Sequence, residues 1–372
     1  MSRDSLSRRA ARLFCVGFHG REPDAELRRL VARGVRSAVL FSRNVGTPTE
    51  VAALTTALKR LSDEPFAIAV DQEGGSVRRL RRGFTELPAA RALGAANDPE
   101  LAEAAGALLG RELRAVGVDW NFAPVLDVDS NPNNPVIGAR SLGRDPAAVA
   151  ELGTRLALGL ARAGVAPCGK HFPGHGDTEL DSHFDLPRLA HDLERLERVE
   201  LVPFRAAARG GIASIMTAHV VFSALDARHP ATMSRAVLGG LLRERLGYDG
   251  LVVSDDLEMQ AIVDHFGIAE AVVHGINAGV DVFLVCHRAD RMHQAIDAAI
   301  HGVESGAVLA SAFDAAVRRA TSFFERWASP ADAARDASVL RSEPHLALAA
   351  RLEAALSTPL GIAEARDPTS DP

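Results

Sequence analysis

The stretch AAVAELGTRLALGLARAGVAPCGKHFPGHG, residues 147–176, decides how this chain is read. Its first part, 147–163, carries the apolar period of an amphipathic helix. Gly164 follows, where a left-handed residue closes a helix at least cost when it is glycine. The apolar run that begins at Val165 is too short for a helix and ends in Lys170 and His171. A Pro/Gly-shaped loop comes next. Helix, glycine, strand and polar strand end therefore follow one another within thirty residues.

The same grammar recurs along the chain. Candidate strands lie at 13–18, 37–41, 66–71, 118–122, 165–171, 214–219, 251–255 and 282–286. Helical patterns between them include 98–116, 147–163, 193–208, 234–246 and 269–278. Gly34, Gly117, Gly164, Gly211, Gly250 and Gly279 stand before strands, as helix-terminating residues should. Strands that alternate with helices form a parallel sheet. Eight such units predict an α/β fold, a closed (β/α)8 TIM-type barrel. A doubly wound open sheet is the alternative, but its glycine-rich phosphate turn after the first strand is missing. A further helix is expected at 308–327. The expected organisation is one barrel domain over 1–328 and a C-terminal extension over 329–372. That tail is Ala-, Asp- and Pro-rich, partly helical around 344–356, packed outside the barrel and fraying at its end.

The chain has 372 residues, 47% of them hydrophobic, which suffices for a large core, and a formal net charge of -6. Its densest basic cluster, Arg78, Arg79, Arg81 and Arg82, is too short to imply nucleic-acid binding. Cys15, Cys168 and Cys286 are few, odd in number and far apart, which argues against a disulfide framework and fits a reducing compartment. The N-terminal residues lack the sustained apolar stretch of a signal peptide, and no window is apolar enough to span a membrane. A cytoplasmic location is expected. The outer helices mix apolar and charged residues, as in any barrel, and set no oligomeric state.

Four strands end in ionisable groups. The third ends in Val70-Asp71-Gln72-Glu73, the fifth in Lys170-His171, the sixth in Thr217-Ala218-His219 and the seventh in Ser254-Asp255-Asp256. In a (β/α)8 barrel the chemistry sits at this C-terminal face. The loop KHFPGHGDTELDSHFDLP after strand five is rich in His and Asp. It admits three readings: a metal site, acid/base work, or side chains that merely satisfy one another. The metal reading lacks a His-x-x-x-His pair on one helical face. Within Asp181-Ser182-His183, residues two apart point the same way in extended chain. Asp181 can then orient the His183 ring and raise its pKa, so that it donates a proton and later takes one back. Gly174 and Gly176 at the base of this loop suggest a hinge. Asp255, held at the end of an apolar strand, is the nucleophile candidate. Asp256 reads as a helix cap or supporting carboxylate. Parity alone does not decide between them, because both faces of a barrel strand are buried.

At these residues the sequence resembles glycoside hydrolase family 3, in its bacterial cytoplasmic β-N-acetylglucosaminidase (β-hexosaminidase) branch. The motifs that carry the resemblance are DQEGGSVRRL at 71–80, NFAPVLDV at 121–128, VIGARSLG at 136–143, KHFPGHGDTELDSH at 170–183 and SDDLEM at 254–259. The resemblance implies a single catalytic barrel with a C-terminal helical tail and assigns roles. Asp255 becomes the nucleophile of a retaining reaction, His183 the acid/base and Asp181 its partner. Asp71, Arg79, Arg140, Lys170 and His171 become the residues that grip the sugar. It implies no cofactor and no metal. The implied activity is exo-removal of terminal β-linked N-acetylglucosamine from small glycans, such as anhydro-muropeptide fragments in peptidoglycan recycling or chitin-derived oligosaccharides. A histidine in place of the usual carboxylic acid repels anions less, which leaves open phosphorolysis through the same residues.

Overall fold

The computed structural model describes residues 3–182 and 185–356. Eight parallel strands close on themselves in chain order: β1 (Phe14–Val16), β2 (Ser37–Leu40), β3 (Ala67–Val70), β4 (Trp120–Asn121), β5 (Ala166–Phe172), β6 (Ser214–Thr217), β7 (Leu251–Asp256) and β8 (Val282–Val285). β1 pairs with both β2 and β8, which seals the barrel. Every predicted strand is present. β4 is the shortest departure from expectation. The tertiary amide of Pro124 has no N–H to give, so its ladder stops at Asn121 and resumes only as an isolated bridge between Val125 and Lys170.

The helices between strands form where their apolar stripes meet the sheet. Pro99–Ala115 is started by Asp98, whose carboxylate accepts from the amides of Glu100 and Leu101, and Pro146–Arg162 is started by Asp145. Gly34, Gly117, Gly164, Gly211 and Gly279 all have positive φ, as the helix-closing role requires. Gly250 does not: that turn is made by Gly247 at φ 68°. The helix expected at 193–208 is two, Leu193–Arg198 and Leu201–Arg209. Pro203 lacks the N–H that a continuous helix would donate to Val199, so the chain breaks at Val199. The segment expected at 234–246 winds more widely, as a π-helix over Ala236–Arg245.

The N-terminal mouth of the barrel is tied by buried ions. Asp119, just before β4, accepts from Lys59 Nζ, Arg114, the Ile68 amide and Ser329. Asp281, just before β8, accepts from Arg243, Arg319 and the Val252 amide. Removing one partner of such a cluster strands the remaining buried charges. Asp281→Ala is therefore expected to lower unfolding free energy by about 3–5 kcal/mol, read by urea titration, with KM unchanged because the site lies at the other end of the barrel.

The described part of the chain beyond the barrel packs on its exterior. Its last described helix, Glu343–Leu356, buries Leu352 and places His345 Nδ1 3.0 Å from Glu112. The frayed end expected beyond it lies outside the described residues. Among the described residues no helix is long and apolar enough to cross a membrane.

Candidate active site

The C-terminal mouth gathers a cluster of charges. After β3 the chain makes a small ribbon, Gln72–Gly74 against Val77–Arg78. Gln72 ties it down: its side-chain oxygen accepts from the amides of Arg79 and Leu80, and its Nε2 donates to Leu80 O. This fold-back brings the Arg79 guanidinium to 3.7 Å from Asp71. Lys170, from the end of β5, places Nζ 2.8 Å from Asp71 and 2.7 Å from Glu73. Arg140 grips Glu73 with two nitrogens, at 3.0 and 2.8 Å, the bidentate geometry in which a guanidinium binds a carboxylate best.

Four of the five residues expected to hold a sugar, Asp71, Arg79, Arg140 and Lys170, therefore meet in one network. The residue that organises them, Glu73, was missed. A signal existed: three cations converging on Asp71 alone leave an uncompensated buried charge, and Glu73 stands two residues on. Burial by itself disfavours ionised Glu73, but Arg140 and Lys170 outweigh it and hold its carboxyl well below the usual range. Burial also opposes the charge on Lys170, yet Asp71 and Glu73 raise its pKa above normal. Glu73, Lys170 and Arg140 are therefore ionised at neutral pH. Asp71 is the accessible member of the cluster, with 16% of its side chain exposed against 1–7% for the others. A ligand hydroxyl entering the mouth meets Asp71 first.

His171, the fifth expected sugar-holder, is held by Asp127. Asp127 is wholly buried and accepts from His171 Nδ1 at 2.7 Å, from the His171 amide and from the His175 amide. Nδ1 is the nitrogen that faces Asp127, so Nε2 is the one left for other partners. Asp127 was also missed as a site residue, although it lies in the NFAPVLDV motif. No periodicity marks it, because it sits in irregular chain after β4. Asp127→Asn weakens both the tautomer preference and the fixing of the ring, and is expected to cut kcat about 10²-fold with far-UV circular dichroism unchanged.

β7 carries Asp255 and Asp256. Along its pairing with β8, Val253 faces Val282 while Asp256 faces Leu284, so one extra residue bulges within Ser254–Asp255. Bulges re-aim side chains at barrel rims. Asp256 is spent on support: its carboxylate lies 3.2 Å from His287 Nε2 and accepts from the Glu258 amide. The Asp256 bond lifts the His287 pKa above its usual value. His219, at the end of β6, holds the Asp256 carbonyl through Nε2 at 3.1 Å and bonds Thr232 through Nδ1. Asp255 accepts from the Asp256 amide at 2.8 Å. Parallel strands of the closed barrel bring the ends of β5 and β7 to one mouth.

In the β5 loop the expected hinge glycines are packed tight. A Cβ on Gly176 would lie 1.7 Å from the Val128 carbonyl, and one on Gly174 would lie 2.8 Å from the Glu200 side chain. The base of the loop is pinned. His175 is buried and hydrogen-bonded on both nitrogens, Nδ1 to Thr178 Oγ1 at 2.8 Å and Nε2 to Ser182 Oγ at 2.9 Å. Burial, followed by the neighbouring His171 charge, pushes its pKa down to about 4, so the ring is neutral above that. Asp177 pairs with His191 and Asp185 with His265, partners that both lie outside the loop at 170–187. Asp181 is half-buried. His183 lies outside the described residues, so its expected pairing with Asp181 is not placed. Among the described residues no group of three His, Cys, Asp or Glu side chains could hold a metal ion.

Known proteins share this architecture. The family described as Glycosyl hydrolase family 3 N terminal domain matches residues 5–323. A β-hexosaminidase of Thiobacillus denitrificans is 46% identical over 270 residues, 71% of this chain and 75% of that protein. One from Neisseria gonorrhoeae is 42% identical over 281 residues, 74% of this chain and 77% of that protein. The structure of a glycoside hydrolase family 3 β-N-acetylglucosaminidase from a Paenibacillus species superimposes with TM-score 0.90 at 43% identity, covering 94% of this chain and 68% of that one. NagZ from Neisseria gonorrhoeae, in complex with N-trifluoroacetyl-D-glucosamine, superimposes with TM-score 0.77 at 34% identity, covering 92% and 97%. The chain thus belongs to glycosyl hydrolase family 3, among its β-N-acetylhexosaminidases, and is a glycoside hydrolase.

Proposed function

We propose that this protein is a retaining exo-β-N-acetylglucosaminidase that forms a covalent glycosyl-enzyme on Asp255, with His183 and Asp181 handling the proton. The observation that carries this reading is the bulged end of β7. It sets Asp255 at the same mouth as the Asp71–Lys170–Glu73–Arg140 network, while Asp256 is committed to His287.

In the first step Asp255 attacks the anomeric carbon as protonated His183 gives its proton to the departing glycosidic oxygen. In the second, neutral His183 takes a proton from water as that water displaces Asp255, and configuration is retained. The ring is positioned by Asp71 and, through it, by Lys170 and Arg79, while His171 offers Nε2 as a hydrogen-bonding group. The N-acetylglucosamine derivative bound in the Neisseria structure supports an N-acetylated ring here. The natural substrate is a small β-linked glycan, an anhydro-muropeptide fragment of cell-wall recycling in the cytoplasm, with phosphorolysis as the competing outcome.

The experiment is mass spectrometry of the enzyme treated with a slow 5-fluoro N-acetylglucosaminyl donor. A sugar adduct on the peptide containing Asp255 is expected, and none there would refute the covalent route. Turnover with and without phosphate then separates release of free sugar from release of sugar 1-phosphate. His183→Ala is expected to lower kcat/KM about 10²–10⁴-fold on a disaccharide and far less on an activated aryl glycoside. Equal losses on both would count against His183 as the acid.

A further inference from the structure

The mechanism above leaves Arg91 without a task, although its placement is unfavourable in two respects. It begins the short helix Arg91–Ala96, where a cation opposes the positive end of the helix dipole. Burying a guanidinium also demands partners for its nitrogens, yet Arg91 is buried and its Nε has no hydrogen-bond partner among the described residues. What this placement provides is reach. Nη2 donates to Asp129 Oδ2 at 2.8 Å and to the Gly138 carbonyl at 3.0 Å.

Those two acceptors lie at the neck and at the tip of one loop, the loop that presents Arg140. Its neck is closed where the Asp129 amide donates to the Gly143 carbonyl at 3.0 Å. Its tip is the turn Gly138–Arg140, and from there Arg140 reaches Glu73. The helix that carries Arg91 lies against the same loop. A Cβ on Gly94 would be 1.6 Å from the Leu142 carbonyl oxygen, so only glycine lets the two backbones come so close. On another side this helix packs against Glu343–Leu356 of the C-terminal extension.

We infer that Arg91 is a positioning residue: by joining Asp129 to Gly138 it fixes the turn from which Arg140 grips Glu73, and so sets the network that holds the sugar. Nη2 carries two hydrogens, one for each acceptor, and the planar group holds them in fixed directions. Asp129 keeps a second cation, Arg144, at 3.2 Å. Loss of Arg91 therefore leaves that carboxylate paired and takes away the hold on the Gly138 carbonyl. The sugar-binding part of this inference rests on the reading that the Asp71–Lys170–Glu73–Arg140 network holds the ring. The clamp on the loop does not.

The test compares Arg91→Met in the parent enzyme and in Glu73→Gln/Arg140→Met, which has no grip left to position. Amides between 134 and 143 are expected to exchange hydrogen at least about tenfold faster in Arg91→Met than in the parent, with the rest of the barrel unchanged. On an aryl β-N-acetylglucosaminide, Arg91→Met should lower kcat/KM about 10–100-fold, chiefly through KM. In the Glu73→Gln/Arg140→Met background the further loss should be under about threefold, because residues that act through one another do not add. Arg140→Lys, which keeps a charge beside Glu73 and loses the two-nitrogen grip, is a second background with the same expectation. Unchanged exchange in Arg91→Met overturns the clamp. Unchanged kcat/KM, or an equal loss in parent and background, overturns positioning through Arg140, since a merely structural Arg91 would matter alike in both. If Glu73→Gln/Arg140→Met keeps the parent KM, the reading of the network as the sugar grip falls, while faster exchange still supports the clamp.

Discussion

Asp255→Asn is expected to leave a folded enzyme with kcat lowered about 10³–10⁵-fold, equivalent to roughly 4–7 kcal/mol of transition-state stabilisation. The substitution keeps the size of the side chain, and its amide oxygen can still accept from the Asp256 amide, now at 2.8 Å. What is lost is the anion that forms the bond to the anomeric carbon. KM should change little if the sugar is held by Asp71 and its network. The measurement is steady-state hydrolysis of an aryl β-N-acetylglucosaminide, with circular dichroism to confirm the fold. Retention of more than a tenth of the parent kcat would remove Asp255 as nucleophile. Asp256→Asn is the contrast. It loosens the contact with His287 and the turn at Glu258 but leaves the attacking group in place, so its loss should be far smaller.

Glu73→Gln should produce the largest change in stability of any single substitution at the mouth. Glu73 is buried between Arg140 and Lys170, and neutralising it takes the carboxylate away from buried Arg140 and leaves Lys170 with Asp71 alone. Breaking one partner out of such a cluster costs about 3–5 kcal/mol, read as a lowered urea midpoint at pH 7. Arg140→Met in the same background should recover part of that loss, because it removes the stranded charge. The pH dependence has a definite sign. The folded pKa of Glu73 is depressed below its ordinary value of 4.5. Its contribution is therefore complete above about 4.5 and is lost as pH falls from there through the folded value. Urea midpoints between pH 7 and pH 3 should fall more steeply in the parent protein than in Glu73→Gln. Parallel slopes would show that the carboxylate titrates normally.

Much of this protein was legible in one dimension. The alternation of apolar runs, helical periods and glycines determined eight strands and a barrel, because burial selects residues by the period of the backbone that presents them. Asp71, Lys170, His171 and Asp255 stand at strand ends, and parallel strands of a barrel deliver all such ends to one face. Side chains at that face were therefore named without knowing a single distance.

Tertiary structure decided what periodicity does not encode. Two strands slip by one residue where the chemistry lies: β5 against β6 between Gly169 and Phe172, and β7 against β8 between Val253 and Asp256. Each slip changes which of two neighbouring residues faces the mouth. It arises from closing the barrel and filling its rim, so it leaves no mark in local sequence. The partners of Arg140 and His171 were hidden for a related reason. Glu73 and Asp127 lie 67 and 44 residues away in the chain, and a charge pair at such separation is visible only once the strands have met. Pro203, by contrast, could have been read in advance, since the break it imposes at Val199 follows from its missing N–H alone.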